Sequence, residues 1–209
     1  MLFKNRFDAA ERLAEKLQKY KAKKNVILLA IPRGALQIGN VLAKRLHLPL
    51  DIVLTKKIGH PYNSELAIGA VSLTSEIIDP QFRDVSKEYI KREIKELKAK
   101  LKERSQQYRG RKPFPVLKDK IAILVDDGVA MGHTISAAID FVRKEKPKKV
   151  VVAVPVGSKE AVARLQKKAD EVICLSVPES FMAIGQFYAQ FEQVEDEEAV
   201  RLLKEANKR

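Results

Sequence analysis

Five short runs of nearly uninterrupted apolar residues, separated by helical patterns, limit what this chain can fold into. The runs are VILLAIP, LDIVLTKK, KIAILVDD, KVVVAVPVG and EVICLSVP, at residues 26–32, 50–57, 120–127, 149–157 and 171–178. Apolar residues at helical spacing fill the intervals 35–46, about 133–145 and 159–169. Strands buried on both faces have this composition, so the pattern predicts a mostly parallel sheet with helices on both faces.

Residues 58–84 break this rhythm. Two strand-like pieces, AIGAVSL and EIID, predict an antiparallel hairpin within this stretch. The following segment, VSKEYIKREIKELKAKLKERSQQY, has apolar residues along one face and predicts a long helix. The C-terminal DEEAVRLLKEAN predicts a last short helix with acidic residues in its first turn.

The chain is strongly basic, with a formal net charge of +13. Such a balance favours anionic ligands. Residues 87–112 alone hold 11 Lys and Arg against 4 Glu, which suits either a nucleic-acid contact or a solvated helix face. Aromatic residues are sparse there, so the solvated face is favoured and nucleic acid is not the favoured partner.

Several features point to the cytoplasm. No apolar run reaches the roughly 20 residues that span a membrane, and the N-terminus has no continuous apolar core of the signal-peptide type. The single cysteine, Cys174, lies in an apolar run and has no intrachain partner for a disulfide. We therefore expect a cytoplasmic protein with no membrane contact.

The run AILVDDGVAMGHTISAAI, residues 122–139, carries the chemistry. Asp126 and Asp127 end a predicted strand, at the edge where parallel sheets bind ligands. The turn behind them leads into a helix, whose first amides suit a phosphate. Carboxylates accept hydrogen bonds from sugar hydroxyls or hold Mg²⁺ through water. The run thus predicts a ribose-phosphate site. Two acids that merely cap a loop are the weaker alternative, because adjacent carboxylates repel.

These residues resemble a known family. ILVDDGVAMGHT resembles the PRPP-binding motif of the type I phosphoribosyltransferases, PRPP being phosphoribosyl pyrophosphate. One bacterial and archaeal branch of that family is also similar in its pyrophosphate loop, its following segment and its C-terminal tail, here AIPRGALQIGNVLAKRLHLPLDIVLTKKIG, NSELAIGAV and FMAIGQFYAQFEQVEDEE. The likeness covers about residues 26 to 203.

The resemblance implies a fold and a domain organisation. The fold is α/β: a mostly parallel, Rossmann-like sheet with helices on both faces, plus a small hairpin excursion and a C-terminal hood. We expect a single phosphoribosyltransferase domain over residues 1–209. Within it, residues 58–118 form the excursion with the long basic helix, and residues 178–209 form the hood and last helix. A homodimer is expected.

The resemblance also implies an activity. The chain would be a Mg²⁺-dependent enzyme that transfers the phosphoribosyl group of PRPP to an unidentified small nitrogenous acceptor and releases pyrophosphate. Asp126 and Asp127 would be the catalytic pair, holding the ribose hydroxyls and the metal. The 5′-phosphate would be bound by Gly128, Val129, Ala130, Met131, Gly132, His133 and Thr134. The pyrophosphate would be bound by Arg33, Gly34, Lys56 and Lys57, although solvated lysines are a fair alternative in a chain this basic.

Two departures from the family pattern bear on function. Met131 replaces a usual threonine, which weakens phosphate binding without abolishing it, because the backbone amides remain. Ala130 replaces the aspartate base of the purine-salvage branch, which argues against an ordinary hypoxanthine or guanine mechanism. An alternative function is therefore a non-catalytic sensor of ribose phosphates or PRPP that acts on nucleic acid or a partner protein.

Candidate acceptor-binding residues are Phe181, Tyr188 and Glu65. Aromatic rings can stack on a planar acceptor. The equally favoured alternative is that these rings fill a core or a dimer contact, and that Glu65 forms a cap or salt bridge.

Overall fold

The computed structural model describes residues 2–82 and 84–208, apart from the side chains of Ser64 and Glu65. The chain divides into a larger unit, formed by Met1–Val53 and Pro115–Arg209, and a smaller unit, Leu54–Phe114. The strands are β1 (Val26–Ala30), β2 (Leu50–Ile52), β3 (Lys56–His60), β4 (Asn63–Val71), β5 (Glu76–Ile78), β6 (Ile121–Val125), β7 (Lys149–Val156) and β8 (Glu171–Ser176). The α-helices are α1 (Arg6–Lys16), α2 (Ala35–Leu46), α3 (Lys87–Arg109), α4 (His133–Lys144), α5 (Lys159–Gln166) and α6 (Asp196–Ala206).

The larger unit is built on a five-stranded sheet in the order β2-β1-β6-β7-β8. Every neighbouring pair is parallel. β1 is buried along its whole length and β7 along all but its first residue, which explains their uninterrupted apolar sequence. The predicted parallel α/β fold is confirmed. The order places β1 beside β6, so the loops that follow these two strands meet at one edge.

The predicted second strand, residues 50–57, is wrong in its extent. β2 ends at Ile52, and Lys56 and Lys57 instead begin β3 of the smaller unit. Lys57 is exposed and Lys56 half-buried. A strand covered on both faces has no room for two adjacent ammonium groups, so the apolar part of the run stays in the large sheet while the lysines leave it.

Helix α1 packs against α2, and α2 packs against α6. The sequence of α1 explains its position, because Ala9, Ala10, Leu13 and Ala14 bury one face. Asn5 caps the helix by accepting a hydrogen bond from Asp8 N. Arg6 lies on the same buried face, at the N-terminal end of the helix.

The smaller unit has its own antiparallel sheet, in the order β3-β4-β5. The hairpin expected in this stretch is present as β4 and β5, with β3 as a third strand. Helix α3 spans 23 residues from Lys87, and its N-cap is Ser86, whose side chain accepts from Tyr89 N. Among the described residues, no helix is both long and apolar enough to cross a membrane.

Candidate active site

Asp126 and Asp127 follow β6 directly, as the sequence predicts. Asp127 is 9% exposed and Asp126 is half-buried. The backbone N–H of Asp127 donates to Oδ1 of Asp126 at 2.9 Å, which fixes the first side chain. The pair therefore lies at the carboxyl edge of the sheet, with the first acid more accessible than the second.

An arginine that the sequence analysis missed is bound to the second acid. Nε of Arg6 donates to Oδ2 of Asp127 at 2.8 Å, and both side chains are largely buried. Nη1 of Arg6 donates to the carbonyl of Glu192 at 2.7 Å, and the guanidinium carbon lies 3.8 Å from the centre of the Phe191 ring. The two residues of the ion pair are 121 positions apart, so the only signal in the sequence is an arginine on the apolar face of α1.

The loop after β1 contacts this ion pair at Gly34. A Cβ built on Gly34 would lie 2.1 Å from Oδ2 of Asp127 and 3.0 Å from Nε of Arg6. The backbone of Gly34 is ordinary right-handed helix, so the position needs glycine for space and not for conformation. The peptide bond between Pro32 and Arg33 is cis. Gly34, predicted to bind the pyrophosphate of PRPP, and Asp127, predicted to bind its ribose hydroxyls, therefore lie in contact.

The turn after Asp127 is hydrogen-bonded to residues at the end of β7 and just beyond it. Val129 N donates to Val156 O at 2.9 Å, and the hydroxyl of Ser158 donates to Ala130 O at 2.6 Å. Gly132 has φ +76°, a left-handed conformation that favours glycine, and it caps α4. The N–H of Val129 is therefore used within the protein. The amides from Ala130 to Thr134 lead into the first turn of α4.

The side chains of this turn differ in exposure. Met131 is 67% exposed, and its carbonyl accepts from Nη1 of Arg164 at 3.1 Å. His133 and Thr134 are exposed at the start of α4. The hydroxyl of Thr134 is thus placed beside the helix N-terminus, where an anion is favoured.

The residues predicted to hold pyrophosphate are divided between the two units. Arg33 lies beside Gly34, but its Nη1 is 3.3 Å from Glu195 Oε2 and 4.0 Å from Asp196 Oδ2, at the start of α6. Lys56 and Lys57 belong to β3 in the smaller unit. Their predicted role and that of Arg33 stay predictions.

The predicted acceptor residues have different surroundings. Tyr188 is buried, its hydroxyl donates to Asp127 O at 2.6 Å, and its ring lies between those of Phe3 and Phe191, at centroid distances of 5.3 and 4.9 Å. This favours the core interpretation for Tyr188. Phe181 is half-buried, 5.0 Å from the Phe187 ring. Glu65 lies in β4, and its side chain is outside the described part of the structure.

The C-terminal hood, residues 178–195, is hydrogen-bonded to the N-terminal segment. Leu2 N and Phe3 N both donate to Phe187 O, at 3.0 and 2.9 Å, and Ala189 N donates to Phe3 O at 2.9 Å. A Cβ on Gly128 would lie 2.6 Å from Ile184 Cγ2, so the hood also covers the loop after β6. The hood and α1 together enclose Asp127.

A cavity of about 340 Å³ opens beside Arg6, between α1, α2 and α6. Its polar lining consists of Asn5, Arg6, Gln37, Asn40, Gln190, Glu192 and Glu198. Two carboxylates make it unfavourable for an anion, but it gives solvent a path to one side of Arg6.

Comparison with known proteins agrees with this geometry. Residues 2–192 match the model of the phosphoribosyl transferase domain. The chain belongs to the phosphoribosyltransferase family. A Mycobacterium tuberculosis protein whose name provisionally assigns it to the phosphoribosyl transferases is 38% identical over 99% of this chain. The chain spans about half of that relative, 47% of its length.

Two solved structures share the fold of this chain. TT1426 from Thermus thermophilus is 39% identical, with a TM-score of 0.87 over 97% of this chain and 98% of its own. AQ2163 from Aquifex aeolicus shares the fold at 14% identity, with a TM-score of 0.54 over 86% of this chain and 76% of its own.

Members of the phosphoribosyltransferase family generally use Mg²⁺ with PRPP. Within the described residues, no group of three or more His, Cys, Asp or Glu side chains is placed to hold a metal. Asp126 keeps one carboxylate oxygen beyond the bond to Asp127 N. One or two carboxylates suit a magnesium ion that keeps waters and is bound mainly by a phosphate ligand. The residues fit a metal that arrives with its substrate.

Burial raises the pKa of both acids. The pKa of Asp126 lies well above its ordinary value of 3.8, because it is desolvated and because Asp127 is a neighbouring negative charge. The pKa of Asp127 is also raised by burial, against the opposing effect of Arg6. Sugar hydroxyls and a metal would both favour the ionised form of Asp126.

We expect a pH signature from Asp126. Because folding raises its pKa, the folded state holds this proton at a pH where the unfolded chain has released it. The stabilisation that protonated Asp126 contributes to the folded state is complete below pH 3.8. It is lost as the pH rises through the folded-state pKa. Urea unfolding between about pH 4 and 8 should therefore show the wild type losing stability relative to Asp126→Asn. Asp119→Asn, at an exposed position, is the control; parallel curves for wild type and Asp126→Asn would contradict the assignment.

Proposed function

We propose that this chain transfers the phosphoribosyl group of PRPP to a nitrogenous acceptor and releases pyrophosphate. In this reaction a nitrogen lone pair forms a bond to C1 of the ribose, and the C1–O bond to pyrophosphate breaks. The bonding electrons leave with the pyrophosphate oxygen, and the nitrogen releases its proton. Bound magnesium would neutralise charge on the departing pyrophosphate.

One observation carries the proposal. The loop after β1 and the loop after β6 approach so closely at Gly34 and Asp127 that a Cβ added to the glycine would lie 2.1 Å from Oδ2 of the acid. Three groups that suit the parts of PRPP therefore adjoin one another. They are the start of α4 for the 5′-phosphate, the acid pair for the sugar hydroxyls and the start of α2 for pyrophosphate. The groups along PRPP follow the same order.

The residues have separate tasks in this proposal. Asp126, the more accessible acid, accepts hydrogen bonds from the ribose hydroxyls. The amides of residues 130–134 and the Thr134 hydroxyl bind the 5′-phosphate. The start of α2 at Gly34 binds pyrophosphate. Catalysis then rests on positioning and on stabilising the negative charge that develops on the leaving group.

The test is release of pyrophosphate from PRPP and Mg²⁺ in the presence of a panel of nitrogenous bases, one at a time. Asp126→Asn should reduce turnover about tenfold to a hundredfold, since hydrogen bonds to a charged group contribute about 1.5–3 kcal/mol. Asp119→Asn is the matched control and should behave as the wild type.

Two outcomes would contradict the enzyme proposal. Unchanged turnover in Asp126→Asn would remove this acid from the site. Tight PRPP binding with no turnover for any base would instead favour the ribose-phosphate sensor. Ala130 at the place of a purine-salvage aspartate makes bases other than hypoxanthine and guanine the first to test.

A further inference from the structure

We propose that Arg6 is a pyrophosphate-binding residue, supplied by the N-terminal helix to the loop that begins α2. The inference rests on the proposed function, because it concerns the leaving group of that reaction. The family resemblance implies pyrophosphate binding by Arg33, Gly34, Lys56 and Lys57 and by no residue of α1.

The hydrogen bonds of Arg6 leave part of its guanidinium unused. The group has five N–H donors in a fixed plane. Nε is bonded to Asp127 and Nη1 to the carbonyl of Glu192. Nη2 donates no hydrogen bond to any residue that the structure describes, although the side chain is only 7% exposed. A cavity reaches one side of Arg6, so this free edge can be bound by water or by a ligand.

That unused edge lies at the loop. Nη2 is 3.1 Å from the position of a Cβ on Gly34, and Nε is 3.0 Å from it. Gly34 is the N-cap of α2, a helix of 12 residues whose first amides carry partial positive charge. An anion bound at this helix start would meet both the backbone amides and Nη2. Arginine binds phosphate oxygens through such charge-assisted bonds.

Arg6 is better placed for this task than Arg33. Both arginines face carboxylates, Arg33 those of Glu195 and Asp196 and Arg6 that of Asp127, so the two differ in how firmly they are held. Arg6 is fixed by the Phe191 ring and by Glu192 O, so its donors are pre-organised. It is also bonded to Asp127, and it therefore links the leaving-group side of the site to the sugar side.

The experiment measures the affinity for magnesium pyrophosphate alone, by calorimetry, in wild type, Arg6→Gln and Arg6→Lys. We expect Arg6→Gln to weaken binding about tenfold or more, the loss typical of a charge-assisted hydrogen bond. Arg6→Lys should recover part of it, because the charge is kept. Arg12→Gln is the matched control: it removes the same charge from the same helix, where Arg12 pairs with Asp8 on the surface.

Asp127→Asn separates this role from a purely structural one. If Arg6 only positions Asp127, pyrophosphate affinity stays at the wild-type value in Arg6→Gln, and the inference is overturned. If Arg6 binds the anion, Asp127→Asn keeps or raises pyrophosphate affinity, because it removes a competing negative charge. Arg6→Gln/Asp127→Asn, which leaves no unpaired buried charge, serves where the single variant does not fold, and it should bind pyrophosphate as weakly as Arg6→Gln.

The result is distinguishable from failure of the proposed function. A wild type that binds pyrophosphate through Arg6 but transfers no phosphoribosyl group contradicts the transferase proposal and leaves Arg6 as an anion-binding residue. A wild type without measurable pyrophosphate affinity overturns the inference.

Discussion

Gly34→Ala is expected to reduce PRPP-dependent turnover about a hundredfold, the loss typical of reacting groups displaced by about 1 Å. The added Cβ would lie 2.1 Å from Oδ2 of Asp127. Because no side-chain rotation can remove a Cβ, either the loop or the carboxylate must move. The ion pair between Arg6 and Asp127 would be displaced as well, so we also expect a lower melting temperature. Turnover and thermal unfolding are measured on the same preparation.

Gly39→Ala is the matched control for this variant. It lies in the same helix, and its added Cβ would meet the end of the Leu50 side chain at 2.9 Å, which can rotate aside. Some loss of stability with nearly normal turnover is expected from it. Gly34→Ala with wild-type turnover would show that the two loops do not act on a common ligand.

Asp127→Ala is expected to destabilise the protein by about 3–5 kcal/mol, because it leaves the Arg6 guanidinium buried without its partner. The pair is nearly enclosed, with side-chain exposures of 7% and 13%. Urea unfolding of wild type and variant measures the difference. The effect would appear without any ligand, unlike the effect of Asp126→Asn on turnover.

The double variant Arg6→Met/Asp127→Leu tests the cause. Replacing a buried ion pair by apolar residues is often neutral or stabilising, so the double variant should recover most of the stability that Asp127→Ala loses. It should be inactive in the transferase assay, because Asp127 belongs to the predicted catalytic pair. A double variant as unstable as Asp127→Ala would mean that the loss comes from packing around Gly34 and not from the unpaired charge.

The sequence predicted the large sheet well because its strands are buried on both faces. From Val150 to Val156 the run contains no polar side chain, and β7, which occupies 149–156, is buried from Val150 onward. Asp126, Asp127 and the Gly132 turn were predicted for a similar reason, since a strand end and a helix start are local features. The second strand was predicted too long, because an apolar run does not show where a chain leaves one sheet for another.

The sequence did not single out Arg6, and it singled out Tyr188 only as an acceptor-binding or core aromatic residue, without its bond to Asp127. Arg6 looks like an ordinary residue near the start of an amphipathic helix, and Tyr188 like one of several aromatics in a tail. Their bonds to the side chain and the carbonyl of Asp127 depend on how α1 and the hood pack over the sheet. Long-range packing of this kind leaves no periodic signal in the sequence.

The contacts of Asp127 with α1 and with the hood have a consequence for the order of folding during synthesis. Its bonds close loops of 121 residues to Arg6 and 61 residues to Tyr188, and Arg6 reaches across 186 residues to Glu192. Contacts this distant form after local ones, because closing long loops costs entropy. A ribosome that has released the β6 loop has yet to make the hood. The nascent chain therefore carries an uncovered acid pair until the hood emerges, and we expect ligand binding only after that point.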